Sequence, residues 1–273
     1  MNGPTCRQRH RHRTGALLVL LLAAAWLAGC AGSAPERPRE IATVSDQGAL
    51  ERRARVRLEL ASAYYSRGQY VTALDEVKQA LQIAPNLADA YNLRGLVYAG
   101  MGEEALADDS FRQALQLNPG DGATLHNRAW SLCQRERYAD AQAQFQAALD
   151  QPQYRDIIRT QFARGVCYAR AGNFTDAERA LRRAYELDPA NPNTGFSLSE
   201  VLFKLQQYER ARFYVGRVND TPDFVNAQTL WLALRIERKL GRDAGATALA
   251  QQLRSRFPQS AETAALGAER FDD

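Results

Sequence analysis

Two hydrophobic patterns divide the chain. Residues Ala16 to Leu27 form one unbroken apolar run of twelve, preceded by a polar stretch with Arg7, Arg9, Arg11 and Arg13 and no acid. From residue 50 onward, apolar positions recur at the three-and-four spacing of amphipathic helices, with Gly and Pro between them. The segment LASAYYSRGQYVTALDEVKQALQIAP, ending at Pro85, aligns with LRGLVYAGMGEEALADDSFRQALQLNP, which ends 34 positions later at Pro119. Pro189 lies 70 beyond Pro119, and Pro258 lies 69 beyond Pro189, so the period continues with small insertions. This pattern predicts six helix–turn–helix units over residues 50–258.

Each recurring residue has a physical task. Ala61, Gly95, Ala129, Gly165 and Ser199 fall eighth in their units, where a small side chain lets the first helix approach the second. Tyr64, Tyr98, Leu132, Tyr168 and Leu202 follow three positions later and fill the seam. Gly68, Gly102 and Gly172 suit the turn, because glycine tolerates positive φ. Ala73, Ala107, Ala141, Ala177 and Ala211 keep the second helix slim, and the prolines mark unit boundaries. In the sixth unit Leu234 replaces the small residue, while Gly241, Ala246 and Pro258 keep the frame. The pattern resembles the tetratricopeptide superfamily over residues 54–258 and implies an all-α superhelical solenoid of tetratricopeptide repeats. Residues 259–273 are expected to form a partial capping helix and an acidic tail.

The N-terminal run is too short to span a bilayer, which takes about 20 residues. A basic stretch, a short apolar run and small residues describe an export signal. The run stops at Leu27-Ala28-Gly29-Cys30, which resembles a bacterial lipobox. The expectation is a signal peptide over 1–29, lipidation at Cys30 and a flexible tether over 30–49. Ala31, in place of an inner-membrane-retaining Asp, points to the periplasmic face of the outer membrane. More than one acyl chain makes such an anchor stable. Removing the leader takes four arginines, so 35 basic residues against 31 acidic ones become 31 against 31. A chain of near-zero net charge gives no electrostatic case for nucleic acid. Besides Cys30, Cys133 and Cys167 remain after processing, 34 residues apart. On neighbouring first helices in an oxidising compartment, they are expected to form a disulfide, against the alternative of two buried free thiols.

No catalytic, metal-binding or cofactor-binding constellation is legible. His126 is the one histidine left after processing, and no phosphate loop, nucleophile elbow or HExxH occurs. The chain is therefore read as no enzyme, with no cofactor, no metal and no small-molecule substrate. Function falls to surfaces. In tetratricopeptide proteins the first helices line a concave groove, mostly through positions 2, 5, 9 and 12. Carried onto this sequence, the groove holds Leu58, Tyr65, Asn92, Leu96, His126, Trp130, Phe162 and Val166, and continues through Phe196, Phe203 and Trp231. This face is apolar and aromatic, suited to a helix or strand of a protein partner.

Several stretches carry a further resemblance: YNLRGLVYAGMGE, SLCQRERYADA, GVCYARAGNF, TLWLALRIERKLG and LAQQLRSRFPQS. Together with the lipobox and tether, they are similar to the type IV pilus biogenesis and stability lipoproteins, the pilotins of PilF/PilW type. The resemblance covers nearly all of residues 50–262. It implies an outer-membrane lipoprotein that binds the pilus secretin and promotes its localisation and multimer assembly. The competing expectation is a lipid-anchored adaptor for envelope proteases or outer-membrane protein assembly.

Overall fold

A computed structural model describes residues 44–271, with side chains from Gln47 onward. The chain divides into two units, Met1–Gln47 and Gly48–Asp273. The leader, Cys30, most of the tether, and Asp272 and Asp273 of the acidic tail lie outside the described residues.

Among the described residues, all regular structure is helical. The helices are α1 (Val44–Ser66), α2 (Tyr70–Ile83), α3 (Ala88–Met101), α4 (Glu104–Leu117), α5 (Gly122–Gln134), α6 (Tyr138–Leu149), α7 (Ile157–Arg170) and α8 (Phe174–Leu187). These are followed by α9 (Pro192–Lys204), α10 (Tyr208–Asn219), a 3-10 turn (Pro222–Phe224), α11 (Ala227–Lys239), α12 (Asp243–Arg256) and the short α13 (Ala261–Gly267). Helices α3 to α12 pack as five successive pairs, each against the next, α13 packs on α11 and α12, and α1 shares one buried core with α2 and α3 as the first pair. This is a solenoid of helix–turn–helix repeats.

The close approach within a pair is a size match. A Cβ added to Gly95 would lie 2.6 Å from the Phe111 ring, and one added to Gly165 would lie 2.6 Å from Leu181. The small residue on the first helix is thus the counterpart of a large one on the second. Phe111, Phe145 and Leu181 are fully buried, and each such side chain contributes about 1.5–3 kcal/mol. The sixth pair departs from the match: Leu234 is buried on the first helix with Leu230, Leu253 and Leu266, and Ala250 of the second helix is only partly buried at the edge of that core.

The turns within pairs share one conformation. Gly68, Gly102, Gly172 and Gly241 have φ between 68° and 80°. In the third and fifth pairs, Glu136 and Gln206 occupy the same left-handed position at φ 60°. Between pairs, the third position of the second to sixth units is closed to solvent: Ala90, Thr124, Thr160, Thr194 and Thr229 are all buried. Ion pairs cross the same seams. Arg135 grips Asp108 with two hydrogen bonds of 3.0 and 2.8 Å, which holds the Asp108 carboxyl below the usual carboxylate range. Arg212 donates to the buried Glu237 at 2.5 Å.

Candidate partner-binding groove

The first helices α1, α3, α5, α7, α9 and α11 present the face on which the sequence places its groove. At the N-terminal end, Leu58, Asn92 and Leu96 line one cavity of about 360 Å³ between α1 and α3, together with Arg55, Ser62 and Asp89. Arg55 spans this cavity, donating to Glu51 at 2.8 Å and to Asp89 at 3.2 Å. The floor is therefore aliphatic and one rim is charged. Tyr65 sits at the end of α1, its ring 5.8 Å from that of Tyr70. Burial raises its hydroxyl pKa, with Tyr70 adding to the shift and Arg159 opposing it.

The centre of the face is more polar than the sequence implies. Asn127 donates to Asn92 at 3.1 Å, tying α5 to α3. His126 is no surface residue. It is 3% exposed, its Nδ1 lies 2.8 Å from the Thr160 hydroxyl, and its ring meets Phe145 edge-on at 5.7 Å. The expectation that His126 lines an accessible groove is corrected on this ground. The neighbouring loop over 150–156 holds the surplus residues between Pro119 and Pro189. It carries Tyr154 onto the start of α5, so close that a Cβ on Gly122 would lie 2.4 Å from the ring. The Tyr154 hydroxyl then lies 2.6 Å from the same Thr160 oxygen. Burial, with a smaller contribution from the nearby Arg159 charge, lowers the His126 pKa from 6.5 to about 4. The imidazole is neutral at neutral pH and serves packing.

Trp130 is half-buried on α5, and the Arg170 guanidinium lies over its ring at 5.2 Å. Cys133 and Cys167 lie beneath it, both buried. Their Cα atoms are 5.9 Å apart, within disulfide range, so they would join α5 to α7. Phe162 and Val166 are half-buried on α7 and pack against the core of the fourth and fifth pairs. The eight groove residues thus differ in how far they are open. Leu58, Asn92 and Leu96 are gathered in a single cavity, Tyr65, Trp130, Phe162 and Val166 show one side each, and His126 is enclosed. Sequence reasoning missed Arg159 and Tyr154. Only the broken period between the third and fourth units marked that loop as unusual.

Among the described residues, no three His, Cys, Asp or Glu side chains gather as a metal site would require. No described helix is long and apolar enough to cross a membrane. Sequence models of the tetratricopeptide repeat match residues 61–102, 88–121, 126–192 and 168–235. The chain is a tetratricopeptide-repeat protein. Among such repeat proteins it is similar to the type IV pilus assembly protein PilF of Pseudomonas aeruginosa, with 26% identity over 255 residues, 93% of this chain and 98% of that one. The crystal structure of PilW, a type IV pilus biogenesis factor, superposes with TM-score 0.71 at 28% identity, covering 78% of this chain and 97% of that one. A solved structure of Pseudomonas aeruginosa PilF gives TM-score 0.68 at 23% identity, covering 81% and 99%, and supports the same fold. This tetratricopeptide-repeat protein is thus similar to PilF along nearly its whole length.

Proposed function

We propose that this protein is a non-catalytic outer-membrane lipoprotein of the type IV pilus system. It acts as a pilotin, promoting the localisation and multimer assembly of the pilus secretin. The observation that carries this reading is the near-full-length likeness to a type IV pilus assembly protein, over 93% of the chain. The Leu27-Ala28-Gly29-Cys30 lipobox supports a lipid anchor at Cys30 that keeps the repeats at the membrane. The cavity of Leu58, Asn92 and Leu96 offers an aliphatic floor for an apolar segment of the secretin. Affinity purification from detergent-solubilised envelopes tests the pairing. Secretin is expected to co-purify with the wild-type protein, and recovery of protease or barrel-assembly subunits without secretin would assign it to envelope adaptors instead.

A further inference from the structure

The far end of the A-helix face is occupied by the chain itself. After α13 the backbone turns back, with Glu269 in the left-handed region at φ 51°, and delivers Phe271 onto α11. The Phe271 ring stacks on Trp231, with centroids 5.4 Å apart and planes 26° from parallel. The Arg238 guanidinium covers the ring at 3.6 Å from its centroid. Arg235 Nε donates to the Phe271 carbonyl oxygen at 2.7 Å, while its guanidinium also lies over Phe203 at 4.7 Å. These three residues of α11 sit at positions 5, 9 and 12 of their unit, which line the partner groove in this superfamily. One segment thus meets an aromatic stack, a cation on the ring and a backbone hydrogen bond together.

We propose that the groove surface of the last helix pair, formed by Trp231, Arg235 and Arg238, is a binding site for a protein segment presenting an aromatic side chain beside acidic residues. The chain's own Phe271 segment is its resident occupant. The chemistry follows from the contacts. Trp231 selects a flat ring, and aromatic pairs gain about 0.5–1.5 kcal/mol beyond area burial. Arg238 favours an electron-rich face. The two guanidiniums favour carboxylates nearby, and the resident segment has Glu269 before Phe271 and Asp272 and Asp273 after it in sequence. A partner segment of this kind would bind by displacing Phe271, so the tail sets a threshold for occupancy. This site is separate from the Leu58–Leu96 cavity and does not depend on secretin being the partner.

The test uses the purified protein and a fluorescent peptide of the sequence LGAERFDD. A tethered segment competes at an effective concentration of about 1 mM. The segment therefore stays seated only if its affinity in trans is of that order or tighter. The Phe271→Ala protein is expected to bind the probe with a Kd of about 1 mM or below, and at least about twofold more tightly than the wild type. Adding Trp231→Ala or Arg235→Gln to that variant should abolish binding, and a probe with Phe replaced by Ala should not bind. Should Phe271→Ala lose its helical fold, Phe271→Leu keeps the apolar bulk, loses the ring and carries the same comparison. Equal binding by wild type and variant, or no binding to either at about 5 mM probe, would overturn the proposal.

Discussion

At the scale of single residues, the turn positions show what each side chain costs. A left-handed conformation costs a non-glycine residue roughly 1–2 kcal/mol, partly offset because glycine raises the entropy of the unfolded chain. Glu136→Gly should therefore raise stability by about 0.5 kcal/mol. Gly102→Ala should lower it by about 1 kcal/mol, through the backbone alone, since a Cβ there meets open space. Urea midpoints of the two variants are expected to move in opposite directions. His126 gives a pH prediction. Its pKa is lowered from 6.5 to about 4, so between those values the unfolded chain binds a proton that the folded chain refuses. Stability falls as pH drops through that window, by about 3 kcal/mol in all, and this contribution is constant above and below it. His126→Gln should remove that slope, so denaturation curves of the two proteins converge as pH falls from 7 to 4. The fate of His126 was not legible in the sequence. Its place in the repeat predicts a groove residue, but the ring is enclosed against Phe145 and Thr160, and a repeat position alone does not report how deeply a side chain is buried.

At the scale of elements, the helix pairs were legible because each is bounded by turn residues and keyed by small ones. The sixth pair was harder to read because its first helix carries the large Leu234 where the other units carry a small residue, and Leu234 is buried in a core with Leu230, Leu253 and Leu266. Leu234→Ala should open a cavity and cost about 2–5 kcal/mol, measured by thermal or urea unfolding. The cysteine pair belongs to this scale too, since it would fasten α5 to α7 across α6. In the chain-entropy view, a bond across the 34-residue separation contributes about 3–4 kcal/mol. Reduction, or Cys133→Ser with Cys167→Ser, should lower the unfolding midpoint accordingly. Two reactive thiols in the unreduced, denatured protein would show that no bond forms.

At the scale of the whole molecule, the repeat frame announced a face, but not which parts of it are open. Leu58 and Leu96 line the cavity at one end, and Phe271 covers Trp231 at the other. That covering was invisible to periodicity because the tail lies outside the repeats. The eight groove residues were read as equivalent, yet Trp130 also packs against the core cluster that holds Cys133 and Cys167, so truncating it perturbs that core. Leu58→Gln with Leu96→Gln is the probe of the cavity end, because both residues line the cavity and neither is fully buried. It should weaken secretin recovery at least about tenfold while leaving helical content unchanged. Replacing Cys30 by Ser should leave an unprocessed or soluble protein, and mass spectrometry of the wild type should find Cys30 lipidated. The proposed pilotin role predicts one result above the others in the bacterium itself. In a strain lacking this protein, the heat- and detergent-resistant secretin multimer should fall sharply while secretin monomer persists, and the wild-type gene should restore it. Undiminished multimer in the outer membrane of that strain, with pili intact, would contradict the account.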